Sequence, residues 1–336
     1  MANLLLTELC VRSCPYCFAK EYMDGKDTNY LKWKDLVFVV DLHSMSNEPI
    51  SFLGGEPFLH PFLVDFILYT IKRGIHVNVF TSGIVNEAKL SEMIINFYPI
   101  AKDKLSFVVN LNHPSLNKPS EQKRINRFLE TMGMYSSLSY NIYHEEFELD
   151  FLLEAICKYG LQRSIRFGLA QPIPGKKNIF ISKEKLPVIA KRFLSYEDKF
   201  EMLQIRIGFD CGMPMCLFSE EEIGKLFKLS FGKLNFGCGP AVDIGTDLTV
   251  WPCFPLSNYQ NKSLYEFNSL QEIKDYYINL HGKVRGEIGG IFTNCDECNY
   301  RKNRLCAGGC LSHPISEMSQ EPKIRHEEVY LSGKTE

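Results

Sequence analysis

The stretch Thr7-Glu8-Leu9-Cys10-Val11-Arg12-Ser13-Cys14-Pro15-Tyr16-Cys17-Phe18 decides how this chain is read. It follows Leu4-Leu5-Leu6, an apolar run of the length of a short buried strand. Three thiolates on one tight loop can hold three corners of a cubic iron–sulfur cluster, whose fourth iron then has no protein ligand. An open iron is a place to bind something. A zinc loop is the plain alternative, and it needs a fourth donor nearby, with only His43 and His60 as candidates.

Working outward, short apolar runs alternate with helical periods up to about residue 170. The pattern predicts strands at Leu4–Thr7, Ile50–Leu53, His76–Thr81, Leu105–Leu111, Leu138–Tyr143 and Ile165–Ala170. Helices are predicted over Trp33–His43, Pro61–Arg73, Glu87–Phe97, Ser120–Thr131 and Asp150–Tyr159, then from Ser182 to about Phe200, before a further strand over Leu203–Phe209. Alternating βα units imply a parallel sheet. Six units are too few to close an eight-stranded barrel, so the expected class is α/β, a partial (β/α)6 TIM-like barrel. A doubly wound open sheet is the alternative. From about Cys211 cysteine, glycine and proline become frequent, as in a small unit held by metal centres. The expected division is 1–205 for the barrel, 206–320 for a cysteine-rich C-terminal domain, and 321–336 for a polar tail.

In parallel barrels, chemistry gathers at the C-terminal ends of the strands. The cysteine loop follows the first predicted strand, Gly54-Gly55-Glu56-Pro57 the second, Thr81-Ser82-Gly83 the third and Asn110-Leu111-Asn112-His113 the fourth. Successive glycines let backbone approach a ligand closely, and their carbonyls or Glu56 can accept from a cationic amine.

Cys10-x3-Cys14-x2-Cys17, with Tyr16 before the third cysteine and Gly54-Gly55-Glu56-Pro57 after the second strand, resembles the radical S-adenosylmethionine superfamily. The resemblance covers roughly residues 3–200. It implies that Cys10, Cys14 and Cys17 ligate a 4Fe–4S cluster whose open iron is chelated by S-adenosylmethionine. It matches Gly54, Gly55 and Glu56 to the ligand's amino group and Tyr16 to its adenine. Ser82 and Asn110 stand where neighbouring strands contact carboxylate or ribose, and Arg166, at a strand end, could reach the cofactor. One electron into the cluster would then give a 5′-deoxyadenosyl radical that abstracts a hydrogen atom from the substrate.

A second set comprises Cys211, Cys216, Cys238, Cys253, Cys295, Cys298, Cys306 and Cys310. The run Cys238 … Asp247-Leu248-Thr249-Val250-Trp251-Pro252-Cys253, followed by Cys295-x2-Cys298-x7-Cys306-x3-Cys310, resembles the SPASM extension of peptide-modifying radical enzymes. Leu248 stands where that extension has glycine, the middle gap is x7 rather than x5, and no cysteine follows Cys310 in the sequence. In one reading all eight serve two auxiliary 4Fe–4S clusters, with Cys211 and Cys216 supplying missing ligands. In the other, one auxiliary cluster is complete and Cys211 or Cys216 is a free thiol that donates a hydrogen atom to a peptide radical. A zinc knuckle at Cys295, Cys298, Cys306 and Cys310 is the bland alternative.

The totals agree with an intracellular metalloprotein. Twelve cysteines in a chain of 336 residues, without an export signal, suit metal ligation better than disulfides. Cys157 stands alone and reads as a core thiol. A net charge of −2 gives no reason to expect nucleic acid or an anionic membrane surface as partner, and no apolar run approaches a membrane span, so a cytoplasmic protein is expected. The resemblance implies a ribosomally made precursor peptide as substrate, crosslinked (carbon–carbon, ether or thioether) or epimerised, and a flavodoxin- or ferredoxin-type electron donor. Little sequence precedes the first strand, so the leader peptide is expected to be bound by a separate protein or by the barrel mouth. Oxidation of a protein side chain or small molecule, as in sulfatase-maturating relatives, is the second enzymatic reading. A non-catalytic iron–sulfur scaffold is the third, and it would have no use for an open iron.

Overall fold

The structure is a computed structural model that describes residues 2–19, 29–43, 46, 48–97, 103–210 and 212–320. Seven parallel strands run in sequence order across the sheet: β1 (Ala2–Leu5), β2 (Ile50–Leu53), β3 (Val77–Thr81), β4 (Leu105–Asn110), β5 (Ser136–Ile142), β6 (Ser164–Leu169) and β7 (Arg206–Phe209). Each pairs in parallel with the next. The connecting helices are α1 (Trp33–His43), α2 (Leu63–Lys72), α3 (Glu87–Phe97), α4 (Pro119–Met132), α5 (Asp150–Tyr159) and the pair α6 (Leu186–Leu194) and α7 (Glu197–Met202). This is the expected partial barrel, with six crossovers and a seventh strand. Among the described residues the two edges of the sheet do not pair with each other, so the barrel stays open.

Alternation along the strands separates core from lumen. Phe107 of β4 packs outward between Phe97 of α3 and Phe128 of α4, with ring centroids 6.4 and 5.5 Å away. Asn110, on the other face of the same strand, lines the lumen, as do Phe80 of β3 and Ser139 and Asn141 of β5. The helix expected from Ser182 to Phe200 is two helices. Pro187 sits in the first turn of α6, and the chain turns at Ser195, whose hydroxyl donates to Arg192 O at 2.6 Å and competes with the helical ladder.

The cysteine-rich region continues the same sheet. Strand β8 (Asp243–Ile244) pairs in parallel with β1, and β9 (Thr249–Trp251) and β10 (Lys262–Ser263) add antiparallel beyond it. Leu248, at the position where glycine was expected, has φ 64° with its side chain buried. The left-handed turn is therefore kept although the residue differs, at a conformational cost that burial of the leucine offsets. Helices α8 (Glu220–Leu229), α9 (Leu270–Ile288), α10 (Asn299–Lys302) and α11 (Ser312–Gln320) complete the described chain. Tyr277 of α9 is buried and donates to Val250 O at 2.7 Å, which pins α9 to β9.

One expectation changes. Cys157 is exposed on α5 rather than in the core, because Leu152, Leu153, Ala155 and Ile156 form the buried stripe and residue 157 falls off it. Helix α11 runs to Gln320, just before the expected polar tail. Residues 321–336 lie outside the described residues. Among the described residues, no helix is long and apolar enough to cross a membrane.

Candidate active site

The cysteine loop is docked by the glycine pair. Gly55 N donates to Thr7 O at 2.8 Å and Glu56 N to Leu9 O at 2.7 Å. A Cβ on Gly55 would lie 1.9 Å from Leu9 O, and one on Gly54, at φ 146°, would lie 2.4 Å from Thr7 O. The close approach that these glycines permit is thus to the backbone of the cysteine loop itself. Within the loop, Cys17 N bonds to Cys14 O at 3.1 Å, and Arg12 N donates to Cys10 Sγ at 3.4 Å. Burial pushes the Cys10 thiol up to about 11.

Glu56 does not face the cavity. Its side chain is buried, with Oε1 accepting from Thr81 Oγ1 at 2.8 Å and from Phe58 N at 3.4 Å. Oε2 accepts from Ser82 N at 2.9 Å and from the Ser82 hydroxyl. Burial raises its pKa, and the donors from Ser82, Thr81 and Phe58 counter that. Glu56 therefore ties the end of β2 to the end of β3, while Gly54, Gly55 and Ser82 remain on the wall. The Ser82 hydroxyl is already spent on Glu56.

A cavity of about 220 Å³ opens at the C-terminal ends of the strands, where ligands of parallel barrels bind. Cys10, Cys14, Cys17, Gly54, Gly55 and Asn110 all line it. Asn110 Oδ1 is buried and accepts no hydrogen bond, which is costly unless a ligand donor completes it. The Asn110 carbonyl is held by Arg12 Nη1 at 2.9 Å. Tyr16 is buried against the ring of Tyr143 (centroids 4.8 Å apart) and donates to Asn112 Oδ1 at 2.8 Å. These features fit a cluster and a nucleoside ligand: three loop cysteines, an asparagine with an unanswered acceptor and a tyrosine with a stacked partner belong to one cavity. Among the described residues no three Cys, His, Asp or Glu side chains converge on a single ion.

Arg166 reaches neither the cysteine loop nor the cavity lining. Its guanidinium forks onto Asp210 Oδ1, at 2.7 Å from Nε and 2.6 Å from Nη2, and lies 5.0 Å from the Phe80 ring. Asp210 and Phe80 do line the cavity, so Arg166 positions two wall residues. Sequence reading assigned no role to Arg12, Asn141 or Asp210. Arg12 lay between the cysteines and was legible by place, whereas Asn141 and Asp210 are brought in by strand register alone.

The second cysteine set divides. Cys310 is buried, 3.0 Å from Ser312 Oγ, and within electrostatic range of Cys238. Cys253 packs on the small apolar cluster that contains Leu311. Cys216 instead lies within range of Cys306, Cys295 and Cys298. It is exposed and does not line the cavity of the first loop. The run from Cys295 to Cys310, for which a zinc knuckle was the alternative reading, thus has Cys310 near Cys238 and the other three near Cys216. Cys211 lies outside the described residues.

Residues 4–134 match the family model described as the radical SAM superfamily. An S-adenosylmethionine-dependent nucleotide dehydratase from Selenomonas ruminantium is 30% identical over 81 residues, 24% of this chain and 29% of that protein. A PqqA peptide cyclase from Granulibacter bethesdensis is 25% identical over 167 residues, 47% of this chain and 44% of the cyclase. The chain thus spans less than half the length of these curated relatives. Among solved structures, Streptococcus suis SuiB bound to S-adenosylmethionine superposes with a TM-score of 0.64 at 16% identity, covering 93% of this chain and 75% of SuiB. SuiB has also been solved bound to the precursor peptide SuiA. At such identity the likeness shows the fold.

Proposed function

Because residues 4–134 are a radical S-adenosylmethionine domain, we propose that the chain is an enzyme that modifies a ribosomally synthesised peptide by hydrogen-atom abstraction. The observation that carries this reading is the cavity at the strand ends, which the three loop cysteines line together with Asn110, whose Oδ1 has no hydrogen-bond partner. When bound, a 4Fe–4S cluster and S-adenosylmethionine supply one-electron cleavage of a sulfonium carbon–sulfur bond and a 5′-deoxyadenosyl radical.

The chain's own residues do the rest. Cys10, Cys14 and Cys17 would hold the cluster. The backbone of Gly54 and Gly55, with Asn110 Oδ1, offers acceptors to the ligand's amino group and hydroxyls. Tyr16 offers a ring beside which adenine can lie. Asp210, held by Arg166, offers a carboxylate for the substrate side of the cavity. In this reading residues 206–320 act as a SPASM-like unit holding one or two auxiliary clusters, with Cys238, Cys253 and Cys310 in one place and Cys295, Cys298 and Cys306 in another. A flavodoxin- or ferredoxin-type protein would deliver the electron.

A peptide is favoured as substrate by the PqqA peptide cyclase relative and by SuiB's complex with a precursor peptide. The nucleotide dehydratase relative favours a second reading, in which a small molecule is the substrate. Two measurements test these. Reduced, reconstituted protein should cleave S-adenosylmethionine, and Cys14→Ala should abolish this; cleavage that persists in the variant would sink the radical reading. Coexpression with the peptide encoded beside the enzyme, followed by mass in deuterated water, tests the substrate. Loss of two hydrogens means a crosslink or oxidation, and gain of one deuterium without oxidation means epimerisation. An unchanged peptide alongside active cleavage would favour the small-molecule reading.

A further inference from the structure

Beside α10, three thiols from two other segments lie within electrostatic range of Cys216. Cys216 sits in the short 3-10 turn Met215–Leu217 between β7 and α8. Cys295 lies in the turn Thr293–Asp296, Cys298 caps α10, and Cys306 bridges to Phe236. Cys216 shares a cleft with Phe292, Thr293 and Asn294, the residues that lead directly into Cys295. Cys306, Cys295 and Cys298 all lie within electrostatic range of its thiol.

The lining around these thiols is built for sulfur. Gly308 N donates to Cys306 Sγ at 3.3 Å, and a Cβ on the same glycine would stand 3.7 Å from Cys295 Sγ. A Cβ on Gly290 would stand 2.6 Å from that sulfur. Gly290 thus clears the space in which Cys295 Sγ sits, and a backbone N–H addresses Cys306 Sγ, as outer partners of a cluster do. Cys310, the sequence neighbour expected to belong here, is engaged elsewhere with Ser312 and Cys238.

We propose that Cys216 is the fourth protein ligand of an outer auxiliary 4Fe–4S cluster held with Cys295, Cys298 and Cys306. This rests on the reading that the chain carries iron–sulfur clusters, and it deepens that reading in two ways. With four thiolates the outer cluster has no open iron, so its role is electron transfer rather than substrate binding. Cys216 is then not the thiol that donates a hydrogen atom to a peptide radical.

Alkylation of the reconstituted holoprotein tests this, because Cys216 and Cys157 are both exposed and Cys157 serves as an internal control. Anaerobic iodoacetamide followed by peptide mass analysis should modify Cys157 in metal-free and iron-loaded protein alike. Cys216 should be modified in the metal-free protein and protected after loading with iron and sulfide. Cys216→Ala should lose about four irons per chain, or show a 3Fe–4S signal on mild oxidation, relative to Cys157→Ala. Labelling of Cys216 in the loaded protein at the rate of Cys157 overturns the proposal. So does protection conferred by zinc but not by iron and sulfide, or a Cys216→Ala protein with full iron and no such signal. Cleavage of S-adenosylmethionine in the same samples reports on the first loop. Cleavage with a labelled Cys216 defeats this ligand alone, whereas protein that takes up no iron defeats the cluster reading as well.

Discussion

The Tyr16 hydroxyl donates to Asn112 Oδ1 at 2.8 Å, which turns the Asn112 amide nitrogen toward Cys14 Sγ, 3.7 Å away. The buried tyrosine therefore fixes which end of the amide faces the loop thiol. A hydrogen bond to a thiolate stabilises the more negative, reduced cluster and raises its potential. Asn112→Ala should lower the potential of the first-loop cluster by some tens of millivolts, the equivalent of about 1 kcal/mol for one electron. Tyr16→Phe should move it the same way by less, because the amide remains but loses its orienting partner. Redox titration followed by electron paramagnetic resonance reads both, and identical midpoints in all three proteins would refute the coupling.

Gly55→Ala should damage the site more than its distance from any ligand suggests. The new Cβ would lie 1.9 Å from Leu9 O, and relief would break Gly55 N to Thr7 O and Glu56 N to Leu9 O. A loop displaced by ~1 Å costs on the order of a hundredfold in rate. S-adenosylmethionine cleavage should fall accordingly, with iron at the first loop reduced. Gly282→Ala, on α9 with nothing within 4 Å of the added carbon, is the neutral control. Equal cleavage by both variants would show that the loop tolerates the shift.

How far the sequence disclosed these features depended on how local they are. The cysteine triplet was legible because its three sulfurs come from one turn, and Gly54-Gly55 because a repeated glycine at a strand end marks a close approach. What the glycines approach was not legible, since the Thr7 and Leu9 carbonyls are brought there by the β1–β2 register. Glu56 was read as facing an amine, but the donors at the end of β3 draw it inward. Cys216 and Cys295 are far apart in sequence, and no spacing rule joins them. Leu248 hid a left-handed turn that glycine would have announced.

Arg166→Ala separates positioning from stability. Arg166 and Asp210 are both about one-third exposed, at 36% and 34%, so their ion pair should contribute no more than about 1 kcal/mol. The melting temperature should change little. Yet the variant frees the Asp210 carboxylate and removes the cation from the Phe80 ring, both on the cavity wall. Product formed per S-adenosylmethionine cleaved should therefore drop, with Arg166→Lys intermediate because lysine cannot fork. A large stability loss with unchanged coupling would make the pair structural only.

Asp243 makes the junction between the cysteine-rich region and the barrel sensitive to pH. It is buried in β8, opposite Asn3 of β1, whose amide donates to Asp243 Oδ1 at 2.7 Å. Burial pushes the carboxyl up from 3.8 to about 7. Below pH ~4 the group is protonated whether the chain is folded or not, and it contributes nothing to pH dependence. As pH rises toward 7 the unfolded chain releases its proton while the folded protein holds it, so stability falls across that window and levels off above it. The fall is on the order of 4 kcal/mol for a fully buried group. Asp243→Asn keeps an acceptor for Asn3 and cannot ionise. The variant should match the parent at pH 4, gain stability relative to it up to pH 7, and hold that gain at pH 8. Urea unfolding at these three values reads the difference, and parallel curves for the two proteins would show that Asp243 is ionised at no cost in the fold.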